Sequence, residues 1–155
     1  MTRIQPMNLS MNKQSGVMLI EALIGILIFS IGILALIAMQ ATAISNTTES
    51  RYRTEASFLA NQIIGQIWVD RGANNTNVAA YDTVAGAGTA ARAAWITKVA
   101  STLPGVTAGG ANSPTIIVTT VGGAQQVVVT VFWKRPDSNA PTRNFTAIAQ
   151  IAGNN

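Results

Sequence analysis

The sequence VMLIEALIGILIFSIGILALIAM, residues 17–39, decides the fold of the N-terminal part of this chain. Within these 23 residues the only charged side chain is Glu21, and the only other polar side chain is Ser30. The hydrocarbon core of a bilayer is about 30 Å thick and is spanned by about 20 apolar residues in a helix. The stretch therefore predicts a helix that spans a membrane.

The residues before this stretch, MTRIQPMNLSMNKQSG (1–16), are polar and basic. Such a segment is typical of a leader peptide and not of a folded element. Lys13 precedes the apolar stretch and has no acidic residue beside it. By the positive-inside rule this arrangement predicts a single-pass inner-membrane protein with a cytoplasmic N-terminus and a periplasmic C-terminal part.

Composition limits the possible functions. The chain has 155 residues, enough for one domain, and only 10% are charged, against about 25% in an average soluble domain. It contains no cysteine and no histidine. Disulfides, thiol nucleophiles, histidine acid–base catalysis and the usual metal sites are therefore excluded. We expect no enzymatic activity, no cofactor, no metal and no small-molecule substrate.

The isoelectric point near 10.1 suggests a nucleic-acid partner at first sight. Two of the ten basic residues, Arg3 and Lys13, lie within residues 1–16, however. Removal of that segment leaves eight basic against six acidic residues, which is an ordinary surface charge. This charge balance does not favour a nucleic-acid partner.

The helix predicted from residues 17–39 continues well beyond them. Residues 40–71 contain no proline and a single glycine, Gly65. Apolar residues recur there at helical spacing, namely Ala56, Leu59, Ala60, Ile63, Ile64 and Ile67. We predict one helix from about Val17 to about Val69, ended by Gly72 and followed by a loop over residues 72–89.

The C-terminal half predicts a short helix followed by three strands. Residues 90–103 have one apolar face and stop at Leu103-Pro104-Gly105. Residues 115–121 and 125–133 are rich in Val, Ile and Thr around Gly122-Gly123, which predicts a hairpin. Residues 145–151 alternate as a third strand with one buried face. The fold class is α+β, with Trp68, Trp95 and Trp133 expected in the core.

The residues around the start of the apolar stretch carry the function. Ser15-Gly16-Val17-Met18-Leu19-Ile20-Glu21 resembles the cleavage and methylation site of type IV prepilins, although that family usually has phenylalanine where this chain has Val17. The resemblance implies cleavage between Gly16 and Val17 by a prepilin peptidase, N-methylation of Val17, and no catalytic residue in this chain.

Glu21 is the costly residue of the apolar stretch. A carboxylate at the centre of a membrane helix costs about 2.5–3.5 kcal/mol on insertion scales, and less near the interface. Cleavage would create an α-amino cation on Val17, which Glu21 of a neighbouring subunit can pair with. Because an unpaired charge in an apolar filament core is strongly disfavoured, such a salt bridge fixes the register of assembly.

Beyond the leader, the chain resembles minor pilins of the PilV type. The resemblance includes Ile31-Gly32-Ile33-Leu34-Ala35, Leu103-Pro104-Gly105 and the strand that ends at Trp133. It implies a pilin fold with a leader (1–16), a transmembrane assembly segment (17–39) and a periplasmic globular domain (40–155). It also implies a pilus subunit that promotes assembly together with other major and minor pilins.

Three alternatives remain open at this point. A pseudopilin of type II secretion shares the leader and the helix. A DNA-uptake pilin predicts a contiguous basic strip and salt-dependent binding. An ordinary secretory signal would be cut after Ala41-Thr42-Ala43, although 23 residues exceed the roughly 7–15 of a signal core.

Overall fold

The computed structural model describes residues 15–136 and 139–152 of the chain. The chain divides into two compact units, Met1–Asn46 and Thr47–Asn155. Helix α1, Ser15–Asp70, begins in the first unit and ends in the second. The proposed leader, apart from its last two residues, lies outside the described residues.

The predicted long helix is confirmed, and its second part carries one buried stripe. Leu59, Ala60 and Ile67 are fully buried, and Ile63 is 1% exposed. Residues spaced three and four apart lie on the same face of a helix, so the stripe presents a continuous apolar surface to the rest of the second unit. Gly72 follows α1 with φ of 70°, which glycine adopts without strain.

The second helix, α2, comprises Ala90–Thr102 and packs against α1. Its first turn is capped by Thr89, whose hydroxyl accepts a hydrogen bond from the N–H of Arg92 at 3.0 Å. Trp95 is buried, and its indole Nε1 donates to the main-chain oxygen of Leu59 at 2.8 Å. This bond satisfies a polar group that would otherwise be buried without a partner.

Three strands form one antiparallel sheet in the order β1-β2-β3. Strand β1 is Thr115–Val121, β2 is Ala124–Trp133 and β3 is Arg143–Ile151. The predicted hairpin between β1 and β2 is confirmed, and Gly122 and Gly123 both have positive φ. Two such residues in succession are what a two-residue hairpin turn requires.

The inner face of the sheet covers the buried stripe of α1. Alternate residues of β2 point into the core because strand side chains alternate between two faces. The third strand shows the predicted single buried face and ends on the buried Ile151. The buried side chains of β2 are those of Val127, Val129, Val131 and Trp133. The chain is therefore α+β, with a long N-terminal apolar helix packed on a three-stranded sheet.

Residues 72–89 are more ordered than the predicted loop. They contain two short 3₁₀ helices, Ala73–Asn75 and Val78–Tyr81. Val78 is fully buried and Tyr81 is 1% exposed. A three- or four-residue helix is too short to show a period in the sequence, so burial against the sheet, and not local pattern, selects this conformation.

The prediction that Trp68 lies in the core is wrong. Its side chain is 41% exposed and stacks against the guanidinium of Arg71, 5.0 Å from the ring centroid. Trp68 follows the buried Ile67 by one residue, a rotation of about 100° away from the buried stripe. Trp95 and Trp133 are 5% and 2% exposed, as expected of core residues.

Truncating the buried stripe should destabilise the second unit. Leu59→Ala removes a fully buried side chain, and we expect the free energy of unfolding to fall by about 2–5 kcal/mol. Urea unfolding of the full chain in detergent micelles, followed by near-ultraviolet circular dichroism, measures the change. The matched control is the adjacent Phe58→Ala, which alters a side chain that is 59% exposed and should cost less than about 1 kcal/mol. Equal losses would contradict the assigned face of α1.

Candidate functional site

The first part of α1 is bare along its whole apolar length. Every side chain from residue 16 to residue 44 is exposed. The large apolar side chains between Val17 and Met39 range from 41% exposed at Ile33 to 75% at Met18. Monomeric soluble proteins rarely expose so large an apolar surface, so this segment needs a covering from outside the chain.

This helix is long and apolar enough to cross a membrane. An α-helix satisfies its main-chain hydrogen bonds internally, which any segment surrounded by hydrocarbon must do. The hydroxyl of Ser30 also finds a partner within the helix, since it donates to the main-chain oxygen of Ile26 at 2.7 Å. The polar groups of this segment are therefore compatible with lipid, with the exception of Glu21.

Glu21 has no hydrogen bond or ion pair within the residues that the structure describes. Its side chain is exposed in the second turn of α1. A carboxylate in apolar surroundings is disfavoured unless it is paired and hydrogen-bonded. Whatever covers this segment must therefore supply a cation or donor to Glu21, or leave it at the polar edge of the membrane.

The predicted cleavage bond between Gly16 and Val17 lies in the first turn of α1, which begins at Ser15. The described residues begin two positions before this bond. Glycine at position 16 permits the extended backbone that is expected in a protease groove.

Two glycines divide the apolar segment. A Cβ built on Gly25 or on Gly32 meets nothing within 4 Å. Seven residues apart, the two positions lie on nearly the same side of the helix. Small residues at such positions permit close approach of a second helix. This surface therefore suits helix packing as well as contact with lipid.

In the second unit a buried carboxylate organises the end of the loop that precedes α2. Asp82 accepts hydrogen bonds from the N–H groups of Val84 and Ala85, each at 2.7 Å, and of Val118 at 2.8 Å. Burial by itself raises the pKa of Asp82. The three N–H donors and the positive charge of Arg92 outweigh that effect, and the pKa is lowered.

Asp70 and Tyr81 form a second polar pair, in which the phenol donates to a carboxylate oxygen. The hydrogen bonds from Gln66 and Tyr81 lower the pKa of Asp70. Burial, followed by the bond to Asp70, raises the pKa of Tyr81 to about 12. Asp70 and Tyr81, like Asp82, form their hydrogen bonds with other groups of the second unit. Their role is therefore structural.

The last strand is held without a disulfide. The side chain of Asn75 donates to the main-chain oxygen of Ile151 at 2.9 Å in a buried position. Arg71 donates to the main-chain oxygen of Ala152 at 3.5 Å. Asn75 adopts a left-handed φ of 61°, which asparagine tolerates better than most residues. The loop after α1 therefore fixes the C-terminal end of β3.

The sequence did not reveal the structural roles of Asn75, Tyr81 and Asp82, which lie in the 72–89 region. Asp82 followed by Thr83 is a combination that often bonds nearby main-chain groups, and this was the available signal. The bond from Val118 to Asp82 spans 36 positions and has no counterpart in local pattern. In contrast, Gly16, Val17 and Glu21 lie on one helix because they are close in sequence.

Among residues 15–136 and 139–152 no group of three or more acidic, histidine or cysteine side chains is placed to hold a metal ion. Comparison with protein-family models, with curated proteins and with solved structures found no match for this chain. The candidate site is consequently defined by its own chemistry, an uncovered apolar helix with one carboxylate near its start.

Replacing the buried carboxylate tests its structural role. In Asp82→Asn one acceptor oxygen becomes a donor facing a main-chain N–H, and we expect a loss of about 1–3 kcal/mol at neutral pH. Because folding lowers the pKa of Asp82, its stabilisation is present above the ordinary pKa of 3.8 and is lost as the pH falls through the lowered value. Urea unfolding of both proteins between pH 2 and 7 should show the difference shrinking at acid pH.

The control for this experiment is Glu55→Gln. Glu55 is half-buried and has no hydrogen bond or ion pair in the described part of the chain. Its replacement should cost less than about 1 kcal/mol at neutral pH. A constant difference between the wild type and Asp82→Asn across the pH range would contradict the assigned role of the carboxylate.

Proposed function

We propose that this chain is a type IV pilin-like filament subunit, a minor pilin that promotes pilus assembly. It enters the inner membrane through residues 17–39 with its N-terminus in the cytoplasm. A prepilin peptidase cuts it between Gly16 and Val17 and methylates Val17. The mature subunit then leaves the bilayer and joins other major and minor pilins in a filament at the cell surface.

The observation that carries the proposal is the uncovered apolar segment with Glu21 as its single charge. Lipid covers such a surface in the membrane, and neighbouring apolar helices cover it in a filament. A helix that only anchored the protein in lipid would gain nothing from a carboxylate in its second turn. A helix that exchanges lipid for other helices gains a defined register from it.

The partner proposed for Glu21 is created by processing. Cleavage exposes the α-amino group of Val17, which has an ordinary pKa of about 7.7–8.0 and is mostly protonated at neutral pH. Glu21 follows Val17 by four positions, so the two residues lie about 6 Å apart along one helix axis. A neighbouring subunit displaced along the filament axis brings the cation of one chain to the carboxylate of the next.

The second unit suits the same role. Its buried stripe on α1 is covered by α2 and the sheet within the unit itself. The exposed segment of residues 17–39 takes no part in that core. Assembly through residues 17–39 therefore leaves the folded unit intact, as a filament subunit requires. The exposed Gly25 and Gly32 permit the close helix packing that such a filament core needs.

Mass spectrometry of the mature protein tests the processing step. We expect the chain purified from a host with a prepilin peptidase to begin at an N-methylated Val17. Gly16→Leu should block this cleavage, since a side chain at the residue before the cut obstructs an extended fit in the protease groove. A mature chain that starts at Ile44 would instead show an ordinary secretory signal and contradict the proposal.

Substitution of the carboxylate tests assembly. Glu21→Ala should leave membrane insertion intact, because it makes the segment more apolar. Incorporation into sheared filaments, measured by immunoblot against the membrane-bound pool, should fall at least about tenfold if the register contact contributes about 1.4 kcal/mol or more.

Ser30→Ala is the matched control for Glu21→Ala. It removes the only other polar side chain of the segment, whose hydroxyl is already satisfied by Ile26 within the helix. We expect incorporation of this variant to match the wild type. Equal incorporation of Glu21→Ala and the wild type would show that Glu21 has no register role.

A further inference from the structure

The part of α1 within the second unit has an exposed side that carries two aromatic residues. Phe58, Asn61, Gly65 and Trp68 follow one another at helical spacing and lie about 180° around the helix from the buried stripe. These four residues form the outer stripe. The side chain of Phe58 is 59% exposed and that of Trp68 is 41% exposed. Exposed aromatic side chains that share one face are typical of protein interfaces.

Gly65 is the unexpected residue of the outer stripe. It is the single glycine of residues 40–71, and a Cβ built on it meets nothing within 4 Å. Glycine destabilises a helix interior relative to alanine, so packing inside the unit does not explain its presence. The missing side chain leaves a notch between Phe58 and Trp68, about 10 Å from the first and about 5 Å from the second along the axis. Such a notch lets a second molecule approach the main chain of α1 closely.

The outer face of the sheet carries no formal charge. Arg143 is the one charged residue of the three strands, and it pairs in register with the buried Trp133, on the inner side. Ile117, Val128 and Ile148 form an apolar central row across the strands, in which Ile148 is 64% exposed. Neutral polar residues flank this row on both sides, namely Thr115, Thr130 and Thr146, and Thr119, Gln126 and Gln150. The outer sheet face therefore presents one apolar row within a neutral surround.

The charges beside the outer stripe favour a neutral occupant. Lys98 lies 5.9 Å from the ring centroid of Phe58, and its Nζ donates to Gln62 at 2.9 Å. Arg71 stacks against Trp68 in the same way. Because both cations already have partners within the unit, neither requires an acidic molecule. A charged molecule on the outer sheet face would lose hydration without gaining a counter-ion. A second copy of this chain offers each of the two surfaces a neutral, partly apolar counterpart.

The outer stripe and the outer sheet face lie on opposite sides of the second unit, because the inner sides of α1 and the sheet pack on each other. A contact between the two surfaces is therefore heterologous and leaves one surface of each copy free for the next. Three strands about 4.8 Å apart and about 24 Å long provide roughly 300 Å². A stable complex buries about 800 Å² per partner, so this contact needs copies that are already held close together.

We propose that copies of this chain associate head to tail, with the outer stripe of one second unit packed on the outer sheet face of the next. The central row of the sheet enters the notch at Gly65, and Phe58 and Trp68 pack on either side of it. This inference rests on the proposed membrane insertion, which concentrates the copies, but not on cleavage or on Glu21. It adds a contact between second units to the contact through residues 17–39.

Cross-linking tests the contact without background, because the chain contains no cysteine. Two full-length copies with different epitope tags are co-expressed, one with Asn61→Cys and the other with Thr146→Cys. Both side chains are exposed, and they lie beside the notch and beside the central row. A short bismaleimide added to isolated membranes should join the two tagged copies. Thr97→Cys, on the exposed side of α2, is the matched control for Thr146→Cys and should give only the product of random collisions.

Two substitutions in the outer stripe separate the contact from folding. Gly65→Leu fills the notch, so the cross-linked fraction should fall at least about tenfold. The same change removes a glycine from a helix and should raise the resistance of the unit to urea. Phe58→Ala removes an aromatic anchor and should lower the cross-linked fraction by about tenfold with little effect on stability. Ala93→Leu adds a leucine at an exposed position of α2 and should leave the cross-linked fraction unchanged.

Three outcomes would overturn the head-to-tail contact. A product of two Asn61→Cys copies that exceeds the mixed product would show that α1 packs on α1. An unchanged yield with Gly65→Leu would show that the notch is not used. Equal yields from Thr146→Cys and Thr97→Cys would reduce the contact to random collision. Because the cross-link is read in membranes, its failure is distinguished from a failure of cleavage or of incorporation into sheared filaments.

Discussion

The main-chain hydrogen bonds of α1 are the constraint on which the rest of the structure depends. Residues 17–39 have no covering partner in the described chain, and their N–H and C=O groups must be satisfied within the segment itself. An uninterrupted helix does this. The same helix continues to Asp70 and supplies the buried stripe on which α2 and the sheet are built. One element thus meets two demands, exposure to an apolar environment and formation of a core.

The second unit is closed by long-range polar contacts in place of disulfides. Trp95 bonds to Leu59 across the two helices, and Trp133 bonds to Glu49 at one end of the sheet. Asn75 holds the other end through Ile151. These contacts use polar groups that would otherwise be buried without partners, so the loss of any one costs more than a surface bond would.

Two properties of the chain arise from this arrangement. The segment of residues 17–39, with Glu21 near its start, exposes its apolar side chains and is long enough to cross a membrane. In the second unit, Arg53 and Arg143 line one surface cavity. The residues of the first are adjacent in sequence, whereas those of the second come from a helix and a strand far apart along the chain. The first was therefore visible in the sequence and the second was not.

The sequence by itself determined the long helix, the second helix, the three strands and their turn. Each of these has a period or a glycine signal that depends on local geometry alone, and the stripe from Ala56 to Ile67 is an example. Only the tertiary structure decided the two short 3₁₀ helices, the exposure of Trp68 and the buried place of Asp82. Those features depend on contacts with residues that are distant in the sequence. One step of about 100° around α1 separates the exposed Trp68 from the buried Ile67, and hydrophobicity alone does not distinguish them.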